Sequence, residues 1–233
     1  MVIYMKCALI IGGSCDIGLN IAKRLKKDYK VIIAYHHNKE IIDDIEYIKC
    51  DVKKEEDIKN LFSCILEKYK HIDVLINLAN VCLDNSFLNK TKKEFMEVLE
   101  TNLVGTFLTN KYYSGYMEDG IIINMSSTDG IDTGSVYSID YSASKAGIIC
   151  MSRIIANCTS NKVYCICPNW IDSLTTNNIN KDYLSNELKR IKQDRLITKD
   201  ELTNVIIDVI NGKYKNNIIR VDVKEGKLWI KEV

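Results

Sequence analysis

Tyr141 and Lys145 are the residues whose types and spacing most directly suggest chemistry. They lie four positions apart in Tyr-Ser-Ala-Ser-Lys, at the start of a segment with helical spacing. On a helix this spacing puts the phenol and the ammonium on one face, one turn apart. A neighbouring ammonium favours the phenolate and lowers the pKa of tyrosine from about 10, so the pair predicts a phenol that exchanges a proton with a substrate oxygen. The same spacing is also common on solvated helix faces.

Two serines follow the apolar run Ile121–Met125, which has the β-branched character of a strand. Ligands of open α/β sheets bind at the carboxyl ends of the strands, and Ser127 would lie at such an end. It precedes Tyr141 by fourteen residues and is a candidate for the same site. The alternative role of Ser127 is a cap at the end of the strand.

A glycine-rich segment, Gly-Gly-Ser-Cys-Asp-Ile-Gly, joins the first apolar run to an amphipathic stretch. Such a turn between a strand and a helix lets backbone N–H groups approach a pyrophosphate at the positive end of the helix. The predicted cofactor contacts are Gly12, Ser14, Ile17 and Gly18. A Gly-Gly turn can also simply join a strand to a helix, so the segment alone leaves that alternative open.

Asp16 stands inside this turn, where a carboxylate beside a pyrophosphate would be unfavourable. Aspartate is also a strong helix N-cap residue. We therefore predict that Asp16 caps the following helix, with its side chain accepting from the helix N–H groups and pointing away from the ligand.

Short β-branched runs alternate with longer amphipathic stretches along the chain, a pattern typical of a parallel sheet covered by helices on both faces. The predicted strands are Cys7–Ile11, Val31–Tyr35, Tyr47–Cys50, Val74–Asn77, Ile121–Met125, Val163–Cys167 and Ile218–Val221. The predicted helices are Ile17–Lys27, Glu55–Tyr69, Thr91–Tyr113, Tyr141–Ala156, Asp182–Lys192 and Lys199–Ile210. Residues 1–233 are thus predicted to form a single α/β domain, with one doubly wound, Rossmann-type parallel sheet of about seven strands. The tail Val223–Val233 contains Lys-Glu-Gly-Lys, which indicates a turn between two short extended pieces.

Composition argues against several classes of protein. The formal net charge is +1, from 32 Lys and Arg against 31 Asp and Glu, so we expect no nucleic-acid partner. No apolar run approaches the roughly 18 residues of a membrane span, and the N-terminus has no signal-peptide pattern, so we expect a cytoplasmic protein without a membrane partner. Nine cysteines without a C-x-x-C pair indicate reduced, mostly buried thiols and no metal site. Cys165 and Cys167 share one strand face and are predicted to pack in the core.

Taken in order, these motifs resemble the short-chain dehydrogenase/reductase family over nearly the whole chain, and most closely its 3-oxoacyl-acyl-carrier-protein reductase type. The glycine turn, Asn102 within Thr-Asn-Leu-Val-Gly, Ser127, Tyr141 and Lys145 match motifs of the family. The Asn-Leu-Ala-Asn segment after the fourth strand is a half match to the family's Asn-Asn-Ala-Gly. Further cofactor contacts that the resemblance implies are Asp51, which would meet the adenine, and Val52, Asn77, Ala79, Pro168, Ile171 and Ser173.

The resemblance implies an oxidoreductase that transfers a hydride between a nicotinamide cofactor and a small carbonyl compound. Tyr141 would protonate the carbonyl oxygen, Ser127 would hydrogen-bond the same oxygen, and Lys145 would hold the nicotinamide ribose. Tyr141 would thereby also contact the cofactor. Asn102 would position a water that links Lys145 to solvent; the alternative is a polar helix residue that is satisfied locally.

The end of the second strand bears on the choice of cofactor. An acidic residue there would bind the ribose hydroxyls and repel a 2′-phosphate, but the chain has Ala34 followed by Tyr-His-His-Asn-Lys. His36, His37 and Lys39 would accommodate the phosphate, so we predict NADP, used as NADPH, rather than NAD. Against this, Cys15 stands where many NADP-dependent relatives carry an arginine.

The resemblance leaves the substrate open among acyl thioesters, ketones, sugars, and cyclic imines or pterins. Asp129, Asp132, Asp140 and Asp172 are expected around the pocket, and this acidic rim weakens the acyl-carrier interpretation. The segment Asp172–Arg195 is predicted to cover the substrate as a mobile lid.

A catalytically silent cofactor-binding protein is the alternative to an enzyme. It is motivated by Asp16, Leu78, Asn80 and Asn169, which stand where the family usually has glycine or asparagine. The intact Asn102, Ser127, Tyr141 and Lys145 favour an enzyme.

A homodimer or homotetramer is expected through the helices Thr91–Tyr113 and Tyr141–Ala156. Their apolar residues outnumber what one buried face can absorb, and the resemblance implies pairing through these helices. The residues concerned are Phe95, Leu99, Leu103, Phe107, Leu108, Ile148, Ile149, Met151, Ile154 and Ile155.

Overall fold

The computed structural model describes residues 5–37 and 41–233, which form one sheet with helices on both faces. The strands are β1 (Lys6–Ile11), β2 (Tyr29–Tyr35), β3 (Glu46–Lys49), β4 (Val74–Asn77), β5 (Ile121–Met125), β6 (Lys162–Pro168), β7 (Ile218–Lys224) and β8 (Lys227–Glu232). The helices are α1 (Asp16–Leu25), α2 (Glu55–Tyr69), α3 (Lys92–Leu99), α4 (Gly105–Tyr116), α5 (Ile139–Ala156), α6 (Leu174–Asn177), α7 (Lys181–Ile191) and α8 (Lys199–Ile210).

The strand order is β3-β2-β1-β4-β5-β6-β7-β8, and every neighbouring pair is parallel except β7 with β8. This confirms the predicted doubly wound, Rossmann-type sheet. The chain changes direction across the sheet between β1 and β4, so the loops after these two strands diverge and leave a crevice at their carboxyl ends.

The sheet has eight strands where about seven were predicted, because the tail adds β8. Glu225 and Gly226, both with positive φ (52° and 70°), form the turn that brings β8 back antiparallel to β7. The Lys-Glu-Gly-Lys segment, predicted as a turn between two extended pieces, is therefore the turn of a hairpin at the edge of the sheet.

The alternating residues of β1 show how the sheet holds helices on both faces. Ala8 and Ile10 pack in one core with residues of α1 and α8, whereas Leu9 and Ile11 pack in a second core with α2 and α4. Because successive side chains of a strand point to opposite faces, a fully apolar strand is what a doubly covered sheet requires.

The predicted helix Thr91–Tyr113 is divided into α3 and α4 by a π-helical segment, Glu100–Val104. Thr91 begins α3 with a capping box, in which its side chain and that of Glu94 each accept from the other's backbone N–H. The π-helical segment contains Asn102, and such segments occur frequently at functional sites.

All nine cysteines are free, and four of them, Cys7, Cys50, Cys165 and Cys167, are buried. The expectation that most are buried is therefore wrong, since the other five are exposed. The sulfurs of Cys165 and Cys167 lie 3.9 Å apart in the core, as predicted. Within the described part of the chain, no helix is long and apolar enough to cross a membrane.

Candidate functional site

A cavity of about 610 Å³ lies at the carboxyl ends of the parallel strands. Most of the predicted site residues line it, although they come from distant parts of the chain. These are Gly12, Ser14, Ile17, His36, Asp51, Val52, Ala79, Ser127, Tyr141, Lys145, Pro168, Ile171 and Ser173. The predicted residues that do not line it are Gly18, Asn77 and Asn102.

Gly12 shapes the floor of the cavity where β1 ends. Its φ of +70° lies in the left-handed region, and a Cβ at this position would approach the backbone N of Ala79 to 2.6 Å. The Gly12 N–H donates to the carbonyl of Ala34 at 2.9 Å, which fixes the turn against β2. The loops after β1 and β4 therefore approach each other closely through their backbone atoms at the crevice.

Gly18 supports this turn from behind. A Cβ there would lie 2.5 Å from the carbonyl oxygen of Gly13, so only glycine lets α1 approach the turn this closely. Cys15 is the N-cap of α1, and its Sγ accepts from the Gly18 N–H at 3.3 Å. Gly18 thus has a packing role in this turn, and its contact with the cofactor stays a prediction.

The prediction that Asp16 caps α1 is wrong. Asp16 is the first residue of the helix, and its Oδ2 accepts from the backbone N–H of Leu174 at 3.0 Å and from Lys199 Nζ at 3.2 Å. Cys15 already occupies the capping position. The Asp16 carboxylate therefore reaches away from its own helix to two distant segments.

Ser127, Tyr141 and Lys145 come together on the other side of the cavity. Ser127 lies close enough to Tyr141 to influence the pKa of its phenol, and Lys145 Nζ lies 5.2 Å from the centre of the Tyr141 ring. Lys145 is buried and donates to the carbonyl of Met125 at 3.0 Å. The Ser127 Oγ accepts from the Asp129 N–H at 3.1 Å, which leaves the hydroxyl hydrogen free to donate.

The prediction that Lys145 lowers the pKa of Tyr141 is wrong for this structure. Burial raises the pKa of Tyr141 above its usual value of 10, and the nearby Asp129 and Cys82 raise it further, whereas the hydrogen bond from Ser127 lowers it. Burial also lowers the pKa of Lys145 to about 8. Desolvation outweighs the attraction of the pair, so Tyr141 keeps its proton at neutral pH and can act as a proton donor.

Asn102 lies behind the cavity and holds the loop that follows β4. Its Oδ1 accepts from the Val81 N–H at 2.8 Å, while its Nδ2 donates to the Val81 carbonyl at 2.9 Å and to Ser144 Oγ at 3.1 Å. These contacts join the π-helical segment to α5 at the residue directly before Lys145. The amide is satisfied locally by these partners.

Asn77 ends β4 with a buried side chain. Its Nδ2 donates to Asn124 Oδ1 at 2.8 Å, and its Oδ1 accepts from Thr109 Oγ1 at 2.8 Å. Asn110 Nδ2 also donates to Asn124 Oδ1, and Asn124 Nδ2 donates to Ser152 Oγ. This network ties β4 and β5 to α4 and α5 below the cavity.

His36 and Asp51 mark the end of the cavity near β2 and β3. His36 Nε2 lies 3.6 Å from Asp51 Oδ2, and the His36 ring packs on that of His37 with centroids 3.7 Å apart. Lys39, the third predicted phosphate contact, lies outside the described residues. Within the part of the chain that is described, no group of three or more His, Cys, Asp or Glu side chains could hold a metal ion.

The predicted acidic rim is wrong in three of its four members. Asp129 lines the cavity, and burial raises its pKa. Asp132 instead pairs with Arg220 at 2.7 Å, Asp140 is buried beside Lys90, and Asp172 accepts from Asn177 at 3.1 Å.

Carboxylates that sequence reasoning did not place at the cavity line it nevertheless. They are Asp84, Glu97 and Glu187. Glu187 pairs with Arg190 at 2.7 Å, so it brings no unbalanced charge. No local signal marks these residues, because each reaches the cavity only through the folding of the loops around it.

Asn169 replaces a family glycine and lines the cavity. Its Nδ2 donates to the buried Asp222 at 3.0 Å, and Arg220 Nε donates to the other oxygen of Asp222 at 3.1 Å. Arg220 also holds Asp132, in the loop after Ser127. The substituted residue is therefore built into a network with β7.

The segment Asp172–Arg195, called the lid, contains α6 and α7 and covers the cavity. On the substrate side, Arg190 Nη2 donates to the Thr133 carbonyl at 2.6 Å, and Tyr183 Oη lies 3.3 Å from Ser135 Oγ. Residues of the lid and its base that the sequence did not mark as cavity-lining include Trp170, Thr175, Thr176, Ile179 and Tyr183.

The sequence profile of the family described as short chain dehydrogenase matches residues 6–184. The chain belongs to the short-chain dehydrogenase family. This confirms the predicted resemblance to that family, and it makes the protein an oxidoreductase.

Two sequence relatives agree with this assignment, and a solved structure shares the fold. A 3-oxoacyl-acyl-carrier-protein reductase of Staphylococcus epidermidis is 27% identical over 228 residues, covering 90% of this chain and 93% of its own. Carbonyl reductase family member 4 of Xenopus laevis is 30% identical over 223 residues, covering 90% and 92%. A dehydrogenase/reductase from Sinorhizobium meliloti has the same fold, with a TM-score of 0.85, 22% identity and coverage of 95% and 94%.

Proposed function

We propose that this short-chain dehydrogenase reduces a small carbonyl compound to an alcohol with NADPH, and that Tyr141 is the general acid. The observation that carries the proposal is the shared cavity, in which Ser127, Tyr141 and Lys145 face the same space as the glycine turn. A proton donor and a dinucleotide turn on one cavity are what hydride transfer to a carbonyl needs.

The floor of the cavity fits a dinucleotide. At Gly12 any Cβ would collide with Ala79, so the backbone itself faces the cavity and can approach a pyrophosphate. Ser14 and Ile17 line the same turn, and Ile171 and Ser173 line the opposite side. The proposed adenine contacts are Asp51 and Val52, and Pro168 and Ala79 complete the proposed set.

Tyr141 would donate its phenolic proton to the carbonyl oxygen, and Ser127 would hydrogen-bond that oxygen through its hydroxyl. When bound, NADPH would supply the hydride. Lys145 would hold the nicotinamide ribose from its position against the Tyr141 ring. Since burial keeps Tyr141 protonated, its initial state suits reduction better than oxidation. Asn102 would act through the loop at Val81, and the water it would position remains a prediction.

The preference for NADPH over NADH rests on the end of β2. Ala34 offers no carboxylate to pair with ribose hydroxyls, and the rings of His36 and His37 line the cavity there. A 2′-phosphate would meet imidazoles rather than an acid.

A 3-oxoacyl thioester is the first substrate to test, because relatives carry that name. The intact catalytic set favours an enzyme over the silent cofactor-binding alternative. NADPH and NADH oxidation should be screened with 3-oxoacyl thioesters, simple ketones, ketosugars and cyclic imines.

Tyr141→Phe then tests the mechanism with the best substrate of that screen. Loss of the acid should lower kcat by on the order of 10²-fold or more while NADPH binding survives. Tyr116→Phe is the matched control, because Tyr116 is an exposed tyrosine of α4 that does not line the cavity. Near-normal turnover of Tyr141→Phe would overturn the assignment.

A further inference from the structure

We propose that Asp16 is a positioning residue that fastens the lid to the glycine turn, so that the lid lies closed before a cofactor binds. The inference concerns the cavity of the proposed function, but its central measurement needs neither cofactor nor substrate.

The first observation is the pair of contacts made by one carboxylate oxygen. Asp16 Oδ2 accepts from the Leu174 N–H at 3.0 Å, and Lys199 Nζ lies 3.2 Å from the same oxygen. Leu174 begins α6 directly after Ser173, and Lys199 begins α8. One side chain of the glycine turn thus holds the start of the lid and the helix that follows it.

The second observation is the way in which the rest of the lid is held. At its base, Gln193 donates to the carbonyl of Trp170 at 2.8 Å, and the Asp172 N–H donates to the carbonyl of Ile197 at 2.8 Å. At α7, Arg190 bonds the loop at Thr133 on the substrate side. Among the attachments described, the contact of Leu174 with Asp16 is the one that joins the lid to the glycine turn.

Charge explains how a carboxylate is tolerated in this turn. Asp16 lines the cavity, and its side chain is 16% exposed. Lys199 balances the negative charge of Asp16, and the Leu174 N–H donates to the same carboxylate oxygen. The carboxylate is therefore directed to the lid instead of to a pyrophosphate. A glycine at this position could make neither contact.

Amide hydrogen exchange of the cofactor-free protein tests the inference. The amides of Asn177 and Ile179 report opening of α6, because they donate to the Ser173 and Thr176 carbonyls and not to Asp16. In Asp16→Ala we expect their exchange to become about 10–150-fold faster, the change expected when a hydrogen bond to a charged group is lost.

Leu174→Pro removes the donor while leaving the Asp16 carboxylate and α1 unchanged. Leu174 is the first helical residue of α6 and follows extended Ser173 (ψ 162°), a place where proline is tolerated. We expect the same acceleration as in Asp16→Ala. The matched control is Asp200→Asn, because Asp200 is a neighbouring carboxylate that binds Asn20 of α1 rather than the lid.

Stopped-flow binding of NADPH provides a second readout, followed by quenching of tryptophan fluorescence, since Trp170 lines the cavity. If the closed lid gates the cavity, association and dissociation should both be faster in Asp16→Ala and Leu174→Pro, whereas a role in general stability would leave both rates unchanged in the folded protein. Absence of NADPH binding in the unmodified protein would contradict the proposed function and leave the exchange test in force.

Three outcomes would overturn the role of Asp16. One is an amide exchange rate at Asn177 and Ile179 that is the same in Asp16→Ala and Leu174→Pro as in the Asp200→Asn control. Another is faster exchange in Asp16→Ala spread equally over the sheet, which would indicate general destabilisation. The third is NADPH binding whose rates are unchanged in both variants.

Discussion

Lys90→Met should destabilise the protein far more than the loss of a surface lysine. The Lys90 and Asp140 side chains are 3% and 0% exposed, and their Nζ and Oδ2 atoms lie 3.0 Å apart. Lys90 also donates to the Leu83 carbonyl, and Asp140 Oδ1 accepts from the Tyr141 N–H at 3.0 Å. The pair joins the loop after β4 to the start of the helix that carries Tyr141.

The expected magnitude follows from this burial. Removing one partner of a buried ion pair leaves an uncompensated charge and costs about 3–5 kcal/mol. For a chain of this size each kcal/mol shifts Tm by about 2–4 °C, so Lys90→Met should lower Tm by about 6–20 °C. The double variant Lys90→Met/Asp140→Asn removes both charges, and we expect it to recover at least half of that loss.

Thermal unfolding followed by circular dichroism is measured for Lys90→Met, Asp140→Asn, the double variant and the unmodified protein. Lys111→Met is the matched control, since Lys111 forms an exposed pair with Glu55 at 3.1 Å and its loss should leave Tm nearly unchanged. A Lys90→Met protein within about 1 kcal/mol of the unmodified one would refute the reasoning. So would a double variant as unstable as the sum of the two single ones.

Three further predictions concern the catalytic pair, the cofactor and assembly. The kcat/KM for reduction should fall as pH rises through about 8, because Lys145 loses its proton there, and a profile flat to pH 10 would contradict this. Ala34→Asp should reverse a preference for NADPH over NADH in fluorescence titrations, because the new carboxylate repels the 2′-phosphate; equal dissociation constants in the unmodified protein would refute the preference. Phe107 and Ile154 are 47% and 57% exposed on the helices predicted to pair. The double variant Phe107→Glu/Ile154→Glu should therefore convert a homodimer or homotetramer to a smaller species in light scattering. An unmodified protein that is already monomeric would contradict the interface.

The features that sequence could predict are those whose cause is local. The glycine turn needs a φ of +70° at Gly12, and this requirement is visible as glycine after an apolar run. Tyr141 and Lys145 share a face because they are one turn apart on the same helix, so their proximity follows from spacing alone. The β-branched runs likewise predict strands, since strands covered on both faces have to be apolar throughout.

The features that sequence could not predict depend on contacts between distant segments. Asp16 meets Leu174 and Lys199 across 158 and 183 residues, and no local pattern ties these positions together. The predicted lowering of the Tyr141 pKa is wrong for a related reason. The spacing to Lys145 is local, whereas the burial that dominates the pKa depends on everything packed around the phenol.

The departures from the family pattern bear on whether the protein has kept its chemistry. Where glycine is replaced by Asp16, the carboxylate finds Lys199 and the Leu174 N–H. Where it is replaced by Asn169, the amide donates to the buried Asp222. These two substituted side chains are thus both held by partners on other elements. A protein that had lost its catalytic function would not need partners for these side chains. The two departures therefore indicate a site that has changed in sequence and kept its catalytic function.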